Sequence, residues 1–464
     1  MSARHLHSLL RVERPIDEVF AFFERPANLD RITPPWMGMR ILGTAGEMRE
    51  GLEIDYAITP FPHVPARWRS RITAYDPPNS FMDVQLRGPY ARWEHRHTFR
   101  ADGDATIVED DVAYELPFGR LGDLVEPLLV RPRLRAIFDH RTTAISRLLP
   151  GRPAPRENAM TVAVAGGTGF VGGAIVTELV RRGEHVVVLT HRPSAARAGL
   201  PDNVEVRAAD VNGDPALVET ALAGVDALVI ALAFPNAPME DAARGWTYER
   251  VDADGTTVLV GAAARAGVGR LVYVSGAGAA EGAERHWFRA KWRAEQAVKS
   301  SGITATIIRP TWIYGPRDVS LNRFLGFARW LPVVPLTGSG SQLLAPVFID
   351  DVARLAADSL REQTAADRTF ELGGPETFTM RQIVSIALGV SGKRRQILPA
   401  PAALLRLGAY AIQHLPGRML TPDGLDFVNQ PATVDVGPLL AAMPRRLTSL
   451  REGLETYLSS NHSR

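Results

Sequence analysis

The sequence has 464 residues, of which 45% are hydrophobic and 22% are charged. These proportions are typical of a globular protein that buries a sizeable core, and the length predicts two or three folding units. The formal charge is only +2, so no nucleic-acid partner is expected. The absence of cysteine excludes disulfides, thiolate nucleophiles and cysteine-ligated metal centres.

The first residues pass directly into a strand-like alternation and contain no apolar core of a secretory signal. The most apolar long stretch, Ala400 to Leu415, is interrupted by Arg406 and Gln413, which makes it too polar for a membrane-spanning helix. The sequence therefore predicts a cytoplasmic protein without a transmembrane segment.

Residues 1–148 predict a first domain, in which a strand from Leu6 to Val12 is followed by a helix from Pro15 to Phe23 that opens with proline. Further strands are predicted at 54–59, 66–75, 81–86, 92–100 and 106–115. A long closing helix is predicted from Leu121 to Leu148. This order predicts an α+β fold in which a curved sheet wraps around a helix.

Two segments of this domain carry a family resemblance, Trp93-Glu-His-Arg-His-Thr-Phe99 and Asp111-Val-Ala-Tyr-Glu-Leu-Pro-Phe-Gly119. Together with the order of elements, they resemble the START-like (helix-grip) domains of the SRPBCC superfamily over residues 4 to 148. The resemblance implies a cavity for a hydrophobic small molecule between the sheet and the long helix. A domain filled by its own side chains is the alternative.

Two polar features of the domain have several interpretations. His95 and His97 share one strand face, where they could ligate a metal, line a pocket or pack in the sheet. No carboxylate or further histidine at a matching spacing completes a metal site, so none is predicted. The closing helix carries four basic residues, Arg131, Arg133, Arg135 and Arg141. Acidic residues interleave with them, which favours a solvated helix face over peripheral contact with anionic lipid headgroups.

The segment 149–159 is predicted to be an extended linker, because it contains three prolines between Leu149 and Asn158 and no apolar periodicity. Residues 160–464 then form the second domain.

The second domain opens with a strand, a glycine-rich turn and a helix. From Thr161 the chain reads Thr-Val-Ala-Val-Ala-Gly-Gly-Thr-Gly-Phe-Val-Gly-Gly, and after the helix a second strand runs from His185 to Thr190. In such a βαβ unit the glycines let the backbone turn sharply and approach a pyrophosphate, whose charge lies at the helix N-terminus. The residues predicted to contact the dinucleotide here are Gly166, Gly167, Thr168, Gly169, Phe170, Val171 and Gly172. A purely structural turn is the alternative.

The end of the second strand indicates which dinucleotide is bound. NAD-selective sites place an acidic residue there for the ribose hydroxyl, whereas this chain has His191 and Arg192. A guanidinium can pair with a 2′-phosphate, so NADP(H) is favoured and NAD(H) remains an alternative. Arg192 could also be an ordinary exposed arginine, which would leave the preference open.

The alternation of strands and helices continues along the chain. Apolar strands are predicted at 204–208, 227–233 and 270–275, and a helix is predicted at 256–266. Strands that are apolar on both faces and separated by helices predict an α/β doubly wound Rossmann fold.

Several motifs of the second domain resemble an extended or atypical short-chain dehydrogenase/reductase. They are the glycine turn, Ala209-Asp-Val211, Val251-Asp-Ala-Asp-Gly-Thr256, Leu271-Val-Tyr-Val-Ser-Gly276, Arg309-Pro310, Tyr314-Gly-Pro316 and Leu372-Gly-Gly-Pro-Glu376. Over residues 160 to about 460 the domain looks most like the atypical branch related to the NAD(P)-binding accessory subunit of respiratory complex I. The resemblance implies that Asp210, Val211, Ala231, Lys291 and Pro310 also contact the dinucleotide.

The catalytic set implied by this resemblance is incomplete. Members of the superfamily use a tyrosine four residues before a lysine, and the matching positions here hold Trp287 and Lys291. Ser275 matches the serine that polarises the substrate oxygen, and Asp252 stands where relatives usually carry asparagine. Indole is not a general acid, so the proton donor of the family is missing.

Two interpretations of the missing donor stay open. The domain could retain redox catalysis with another donor, such as His286, Tyr314 or a water held by Ser275 and Lys291. Alternatively, it could bind the dinucleotide without catalysis, as a sensor or scaffold.

The chain from Leu321 onward is predicted to form a small subdomain on the substrate side. Four aromatic residues could line an apolar pocket there or belong to the core: Trp312, Phe324, Phe327 and Trp330. By analogy of fold, such a pocket next to a START-like domain suggests a lipid, polyketide or quinone-like substrate.

Overall fold

The structure is a computed structural model, and it describes residues 4–458 apart from 35–36, 44–45, 62–63, 118–125, 152–156, 198, 235–239, 331–332 and 402–429. The middle of the predicted linker and most of the segment from Ala400 to Leu415 lie outside these residues. Within the described part, no helix has the length and apolar character needed to cross a membrane. The cytoplasmic location stays a prediction. The chain divides into two compact units, one up to residue 153 and the other from residue 154 onward.

The N-terminal unit is built on one antiparallel sheet. Its strands are β1 Arg4–Val12, β2 Arg40–Ile41, β3 Glu53–Phe61, β4 Val64–Asp76, β5 Ser80–Arg87, β6 Arg92–Asp102 and β7 Ala105–Glu115. Their spatial order is β1-β7-β6-β5-β4-β3-β2. All were predicted except β2, which is too short to show an alternating pattern.

Alternation along β6 shows how the sheet builds its core. The buried side chains of this strand are Trp93, His95, His97 and Phe99, and the residues between them are more exposed. Phe99 packs edge-on against Phe20 and Phe23, with ring centroids 5.2 and 5.1 Å away. One face of the sheet therefore carries an aromatic core.

The described residues of this unit also form the α-helices α1 Ile16–Phe23, α2 Leu29–Ile32 and α3 Arg131–Leu148. Helix α3 buries Leu134, Phe138 and Ile145 in the same core. It begins later than predicted, because a π-helical turn at Glu126–Val130 precedes it, and residues 118–125 lie outside the described part. The arrangement confirms the α+β, helix-grip fold.

The C-terminal unit is an α/β structure. Its strands are β8 Thr161–Ala165, β9 His185–Thr190, β10 Glu205–Ala208, β11 Ala227–Ile230, β12 Arg270–Val274, β13 Thr304–Pro310, β14 Ile313–Tyr314, β15 Val333–Thr337, β16 Leu343–Leu344, β17 Val347–Phe348, β18 Arg368–Leu372, β19 Phe378–Thr379 and β20 Gln396–Ala400. The main sheet has the order β10-β9-β8-β11-β12-β13-β18, and every neighbouring pair is parallel. The strand order reverses between β8 and β11, which is where such folds bind their ligands.

The helices of this unit are α4 Phe170–Arg181, α5 Pro193–Arg197, α6 Pro215–Ala221, α7 Gly255–Arg265, α8 His286–Lys299, α9 Val319–Trp330, α10 Ile349–Ser359, α11 Met380–Val390, α12 Gly437–Ala442 and α13 Leu450–Leu458. Along β8, Val162 and Val164 join a core with α4 and α10, whereas Ala163 and Ala165 join a second core with α6, α7 and α8. Both faces of the sheet are thus covered, which confirms the doubly wound Rossmann fold.

The predicted small subdomain is also present. Its three two-stranded pairs are β14 with β17, β15 with β20, and β16 with β19. Helices α9, α11 and α13 pack around a core of their own that includes Leu321, Ile383 and Leu454. One predicted boundary was wrong in detail: the strand predicted to run from Ala227 to Ala233 ends at Ile230. Helix α7 begins one residue before its predicted start and follows a π-helical turn at Glu249–Asp254.

Candidate functional site

The glycine-rich turn connects β8 to α4 through positions that tolerate only glycine. Gly166 has a φ of +83°. A Cβ on Gly166 would lie 2.1 Å from the carbonyl oxygen of Ala231, and a Cβ on Gly172 would lie 2.2 Å from that of Gly166. No side chain caps α4 at Gly169. The first-turn amides of α4 therefore suit an anion such as a pyrophosphate.

Arg317 is a site residue that sequence reasoning missed. Its guanidinium donates to the carbonyl oxygens of Gly169 at 3.3 Å and Thr168 at 3.4 Å. It thereby places a positive charge beside the uncapped end of α4. The available signal was its position directly after the motif Tyr314-Gly-Pro316.

The ends of β9 and β10 lie side by side and carry the residues predicted to select the dinucleotide. His191 and Arg192 follow β9 and are exposed, and Asp210 follows β10 and is exposed as well. The backbone amide of Arg192 donates to Thr190 Oγ1 at 3.1 Å. Val211 is partly buried and packs in the core on this side of the sheet. This edge of the sheet thus carries both Arg192, which would favour a 2′-phosphate, and Asp210, which would favour a ribose hydroxyl. The preference for NADP(H) stays a prediction.

A cavity of about 360 Å³ lies at the carboxyl ends of the parallel strands, next to the glycine turn. Eight predicted site residues line it: Gly169, Phe170, Val171, Ala231, Ser275, Trp287, Lys291 and Pro310. The other predicted residues lie in the turn or at the edge of β9 and β10. Most of the remaining wall is apolar and includes Phe234, Phe288, Trp312, Leu344 and Met380. The structure thus brings the predicted catalytic residues together around an apolar space.

Lys291 and Asp252 form an ion pair in the wall of this cavity. Lys291 Nζ lies 2.5 Å from Asp252 Oδ1 and 3.4 Å from the carbonyl oxygen of Val274. Burial raises the pKa of Asp252, which is only 2% exposed, while the neighbouring ammonium opposes this rise. The ion pair therefore holds the Lys291 ammonium, which can donate a hydrogen bond, at the edge of the cavity.

Ser275 lines the cavity, but its hydroxyl donates to a buried carboxylate. The hydrogen bond runs from Ser275 Oγ to Glu295 Oε1 at 2.6 Å. Arg309 approaches both oxygens of the same carboxylate, at 2.8 and 2.6 Å. In this structure the hydroxyl hydrogen of Ser275 is therefore used for Glu295 and not for the cavity. The role of Ser275 in polarising a substrate oxygen stays a prediction.

Trp287 lies one helical turn before Lys291 on α8, in the predicted geometry. Its side chain is 4% exposed and lines the cavity. The rings of Tyr248, His286 and Phe288 surround it, with centroids 5.1 to 6.3 Å away. An aromatic cluster therefore holds the indole at the position to which the family resemblance assigns a phenol.

The two side chains predicted as alternative proton donors have other partners. His286 Nε2 lies 2.7 Å from Glu240 Oε2. The buried hydroxyl of Tyr314 donates to the carbonyl oxygen of Ser449 at 3.1 Å, inside the core of the subdomain. Neither residue belongs to the described lining of the cavity.

Tyr248 is a second site residue that sequence reasoning missed. It lines the cavity, and its ring centroid is 6.3 Å from that of Trp287. Burial raises the pKa of its phenol, and the negative charges of Asp252 and Glu240 act in the same direction. The available signal was its spacing: Tyr248 precedes Asp252 by four residues, which places both on one side of a helical turn.

The four aromatic residues predicted on the substrate side have different positions. Trp312 lines the cavity. Phe324 packs against the core of the subdomain instead. The side chains of Phe327 and Trp330 lie outside the described part of the structure.

The N-terminal unit contains the cavity that the family resemblance implies. Its volume is about 180 Å³, and its lining includes Phe22, Ile54, Trp68, Phe81 and Leu134. Polar groups reach the same space from Asp83, His95, His97 and Arg141. The domain is thus not filled by its own side chains.

One expectation for α3 was wrong. Arg141 is 8% exposed rather than solvated, because its guanidinium turns inward toward the carboxylate of Asp110, 3.5 Å away. Arg131 does lie on an exposed face, where it pairs with Glu126 at 3.0 Å.

Comparison with known proteins identifies both units. Residues 166–323 match the family described as NAD(P)H-binding, and residues 12–138 match the family described as polyketide cyclase/dehydrase and lipid transport. Subunit 9 of the NADH dehydrogenase [ubiquinone] 1 alpha subcomplex of Mus musculus is 27% identical over 253 residues, which are 53% of this chain. The match spans 65% of that mitochondrial protein, just under two thirds of its length.

A second relative is named as a reductase. The 2-alkyl-3-oxoalkanoate reductase of Stenotrophomonas maltophilia is 28% identical over 265 residues, covering 51% of this chain and 77% of that protein. The UDP-glucose 4-epimerase of Thermus thermophilus, solved with NAD, shares the fold at a TM-score of 0.52 and 22% identity. It covers 66% of this chain and 100% of its own. The chain therefore joins a domain of the polyketide cyclase/dehydrase and lipid transport family to an NAD(P)H-binding domain of the atypical short-chain dehydrogenase/reductase type.

Proposed function

We propose that the C-terminal domain is an NAD(P)H-dependent oxidoreductase that reduces a carbonyl or quinone group of a hydrophobic substrate, with a preference for NADPH. The observation that carries the proposal is the Lys291–Asp252 ion pair, 2.5 Å long, in the wall of an apolar cavity beside the glycine turn. A partly buried ammonium held next to an apolar space suits the charge that develops on a carbonyl oxygen.

The residues of the turn fit a dinucleotide. The first-turn amides of α4 and the guanidinium of Arg317 would hold the pyrophosphate, and Arg192 would reach a 2′-phosphate. When bound, the reduced dinucleotide supplies a hydride to the carbonyl carbon. Lys291 would hold the ribose hydroxyls next to the nicotinamide.

Two side chains on the cavity wall are alternative donors of the proton that the substrate oxygen needs. The Lys291 ammonium is oriented by Asp252, so that one of its hydrogens can be donated to the substrate oxygen as the hydride arrives at carbon. The Tyr248 phenol lies on the same wall, beside Trp287. A carbonyl substrate gives an alcohol and a quinone gives a hydroquinone, and the group that donated the proton regains one from water. Because Trp287 replaces the usual phenol, we expect a slow reductase.

The apolar lining supports a hydrophobic substrate. Phe234, Phe288 and Trp312 contribute to a lining surface that is mostly apolar, which favours a hydrophobic substrate over a sugar or another polyhydroxylated molecule. A relative that is named as a reductase of 2-alkyl-3-oxoalkanoates points to the same chemistry. We propose that the N-terminal cavity binds an apolar ligand of the same broad class.

The proposal is tested by following NADPH oxidation with a panel of 3-oxoalkanoates, long-chain ketones and quinones. Lys291→Met should lower the rate at least about 100-fold, the lower end of what a proton donor supplies. Lys299→Met is the matched control, because Lys299 lies on the same helix outside the described cavity lining, with its side chain 48% exposed and a contact to Glu295 of only 3.9 Å. Loss of activity in both variants, or in neither, contradicts the assignment of Lys291.

A second function is favoured by one observation, the indole of Trp287 at the donor position. On this account the domain binds the dinucleotide without turnover, as a sensor or scaffold. It predicts tight NADPH binding by calorimetry together with background oxidation rates for every substrate in the panel.

A further inference from the structure

The N-terminal cavity contains a cluster of charged and imidazole groups that the reductase does not use. Asp83 lies on β5, His95 and His97 on β6, and Asp110 on β7. The sheet register pairs Asp83 with His95 and His97 with Asp110. Arg141 reaches the cluster from α3. Four side chains from three neighbouring strands thus meet on the buried face of the sheet.

Both histidines turn one ring nitrogen toward Asp83. His95 Nδ1 and His97 Nε2 lie 3.6 and 3.7 Å from the same oxygen, Asp83 Oδ1. These distances are too long for good hydrogen bonds. They suit two ligands of one ion, since bonds of about 2.0–2.2 Å in a tetrahedral site place neighbouring ligand atoms roughly 3.4 Å apart. The three ligand atoms lie within 4.8 Å of one another.

The opposite ring nitrogens of both histidines are held by Asp110. His95 Nε2 and His97 Nδ1 lie 3.1 and 2.6 Å from Asp110 Oδ1. A carboxylate behind the ring is the usual support of a metal-bound histidine, because it fixes the tautomer and the ring orientation. Arg141 reaches the same place: its guanidinium lies 3.5 Å from the other oxygen of Asp110, whose charge it offsets, and 3.2 Å from His97 Nδ1.

Aromatic contacts hold the two imidazoles in place. The His97 ring stacks on Phe81 with centroids 4.1 Å apart, and the His95 ring contacts Phe138 edge-on at 5.6 Å. Both histidines are buried, at 6% and 3% exposure.

We propose that Asp83, His95 and His97 form a binding site for a divalent transition-metal ion such as Zn²⁺ or Fe²⁺. Two histidines and one carboxylate are a ligand set that both ions accept. All three ligands line the cavity, whereas Asp110 lies behind them. The remaining coordination positions face the apolar space, so the ion would take an oxygen atom of a ligand whose apolar body fills the cavity.

Sequence reasoning expected no metal here because it found no carboxylate at a matching spacing. The register explains the difference: Asp83 is twelve positions from His95 in sequence, yet it faces His95 across two hydrogen-bonded strands. Only the pairing of β5 with β6 reveals the third ligand.

The test uses the full chain, freed of any histidine tag, treated with EDTA and desalted. Zn²⁺ is titrated by calorimetry, and Co²⁺ is titrated while visible d–d absorption is recorded. The wild type should bind one equivalent of Zn²⁺ and show absorption bands of four- or five-coordinate Co²⁺. Asp83→Asn should weaken binding at least about 100-fold, and Asp110→Asn about 10- to 100-fold.

His7→Ala is the matched control, because His7 forms an exposed pair with Glu109 at 2.8 Å on the same sheet. It should bind Zn²⁺ as the wild type does. Circular dichroism checks that every variant folds. X-ray absorption of the Zn²⁺-loaded wild type gives an answer that needs no variant: two imidazoles and one carboxylate oxygen are expected. No stoichiometric binding, a different ligand set, or unchanged affinity in folded Asp83→Asn would overturn the proposal.

Discussion

The hydroxyl of Ser275 donates to one carboxylate oxygen of Glu295 across 2.6 Å, and the guanidinium of Arg309 donates to the other oxygen. Glu295 is fully buried, so its charge depends mainly on these two partners, with Lys299 farther away at 3.9 Å. Glu295→Ala leaves the Arg309 guanidinium without its carboxylate partner and should lower the free energy of unfolding by about 3–5 kcal/mol. Ser275→Ala removes one hydrogen bond to a charged group and should cost roughly 1.5–3 kcal/mol.

Urea-induced unfolding followed by circular dichroism measures both effects, and the transition that NADPH shifts identifies the C-terminal unit. Glu219→Gln is the control, because its ion pair with Arg265 is exposed and should contribute less than about 1 kcal/mol. If Glu295→Ala lowers the free energy of unfolding no more than the control does, the interactions among Ser275, Glu295 and Arg309 do not stabilise the domain.

Arg192 is predicted to set the preference for NADPH, because its guanidinium can pair with a 2′-phosphate. Calorimetric titration should show tighter binding of NADPH than of NADH, and Arg192→Ala should abolish the difference. Equal affinities in the wild type would contradict the preference and would point to Asp210, on the neighbouring strand end, as the residue that contacts the ribose.

Gly166→Ala should abolish dinucleotide binding and destabilise the domain. The new methyl group would meet the Ala231 carbonyl oxygen at 2.1 Å, in addition to the strain of a positive φ. Gly224→Ala separates the two effects, since Gly224 has a φ of +71° and open space around its Cβ. The control should lose only about 1–2 kcal/mol and retain NADPH binding. Wild-type affinity in Gly166→Ala would mean that the turn does not approach the dinucleotide.

Trp287→Tyr should raise the reductase rate, because a phenol one helical turn before Lys291 restores the pattern of the superfamily. The smaller ring leaves space in the aromatic cluster and should cost roughly 1–3 kcal/mol, so folding is checked alongside the rate. Tyr248→Phe should lower the rate if the Tyr248 phenol donates the proton. A rate that falls in Trp287→Tyr and stays constant in Tyr248→Phe would contradict this arrangement of the site.

The raised pKa of Asp252 predicts the acid side of the pH–rate profile. Burial keeps its carboxyl protonated to a higher pH than in the unfolded chain, and the protonated acid no longer orients the Lys291 ammonium. We expect kcat/KM to fall as the pH drops through this raised pKa, and Asp252→Asn to lose that pH dependence. The free energy of unfolding depends on pH in the opposite direction. The folded state binds the extra proton, so the contribution of Asp252 to stability is lost as the pH rises through the same window. An identical acid limb in wild type and Asp252→Asn would contradict the assignment.

The fold was predictable because its signals are local. The glycine turn, the apolar strands and the alternation of β6 are each visible within a dozen residues, and each imposes a period or a backbone conformation. The pairing of Ser275 with Glu295 and the approach of Arg317 to the glycine turn were not predictable, because they join segments whose spacing in sequence carries no pattern.

A different limit applies to Tyr248 and Asp252, whose four-residue spacing is visible in the sequence. Both belong to the segment around the π-helical turn at Glu249–Asp254, where helical periodicity is disturbed and the predicted helix began only at Thr256. A family pattern identified position 252, whereas the cavity that the two side chains share depends on how this turn packs against α8.

Isotope transfer tests the central claim most directly. The protein is mixed with NADPH carrying two deuterium atoms at the nicotinamide C4 and with a long-chain 3-oxoalkanoate, and the product is analysed by mass spectrometry. A reductase predicts one deuterium on the new alcohol carbon, formed at similar rates by the wild type and Lys299→Met and at least about 100-fold more slowly by Lys291→Met. Bound NADPH without deuterium in the product of any ketone or oxoalkanoate, and without NADPH oxidation by any quinone, would contradict reductase activity and favour a domain that binds the dinucleotide without turnover.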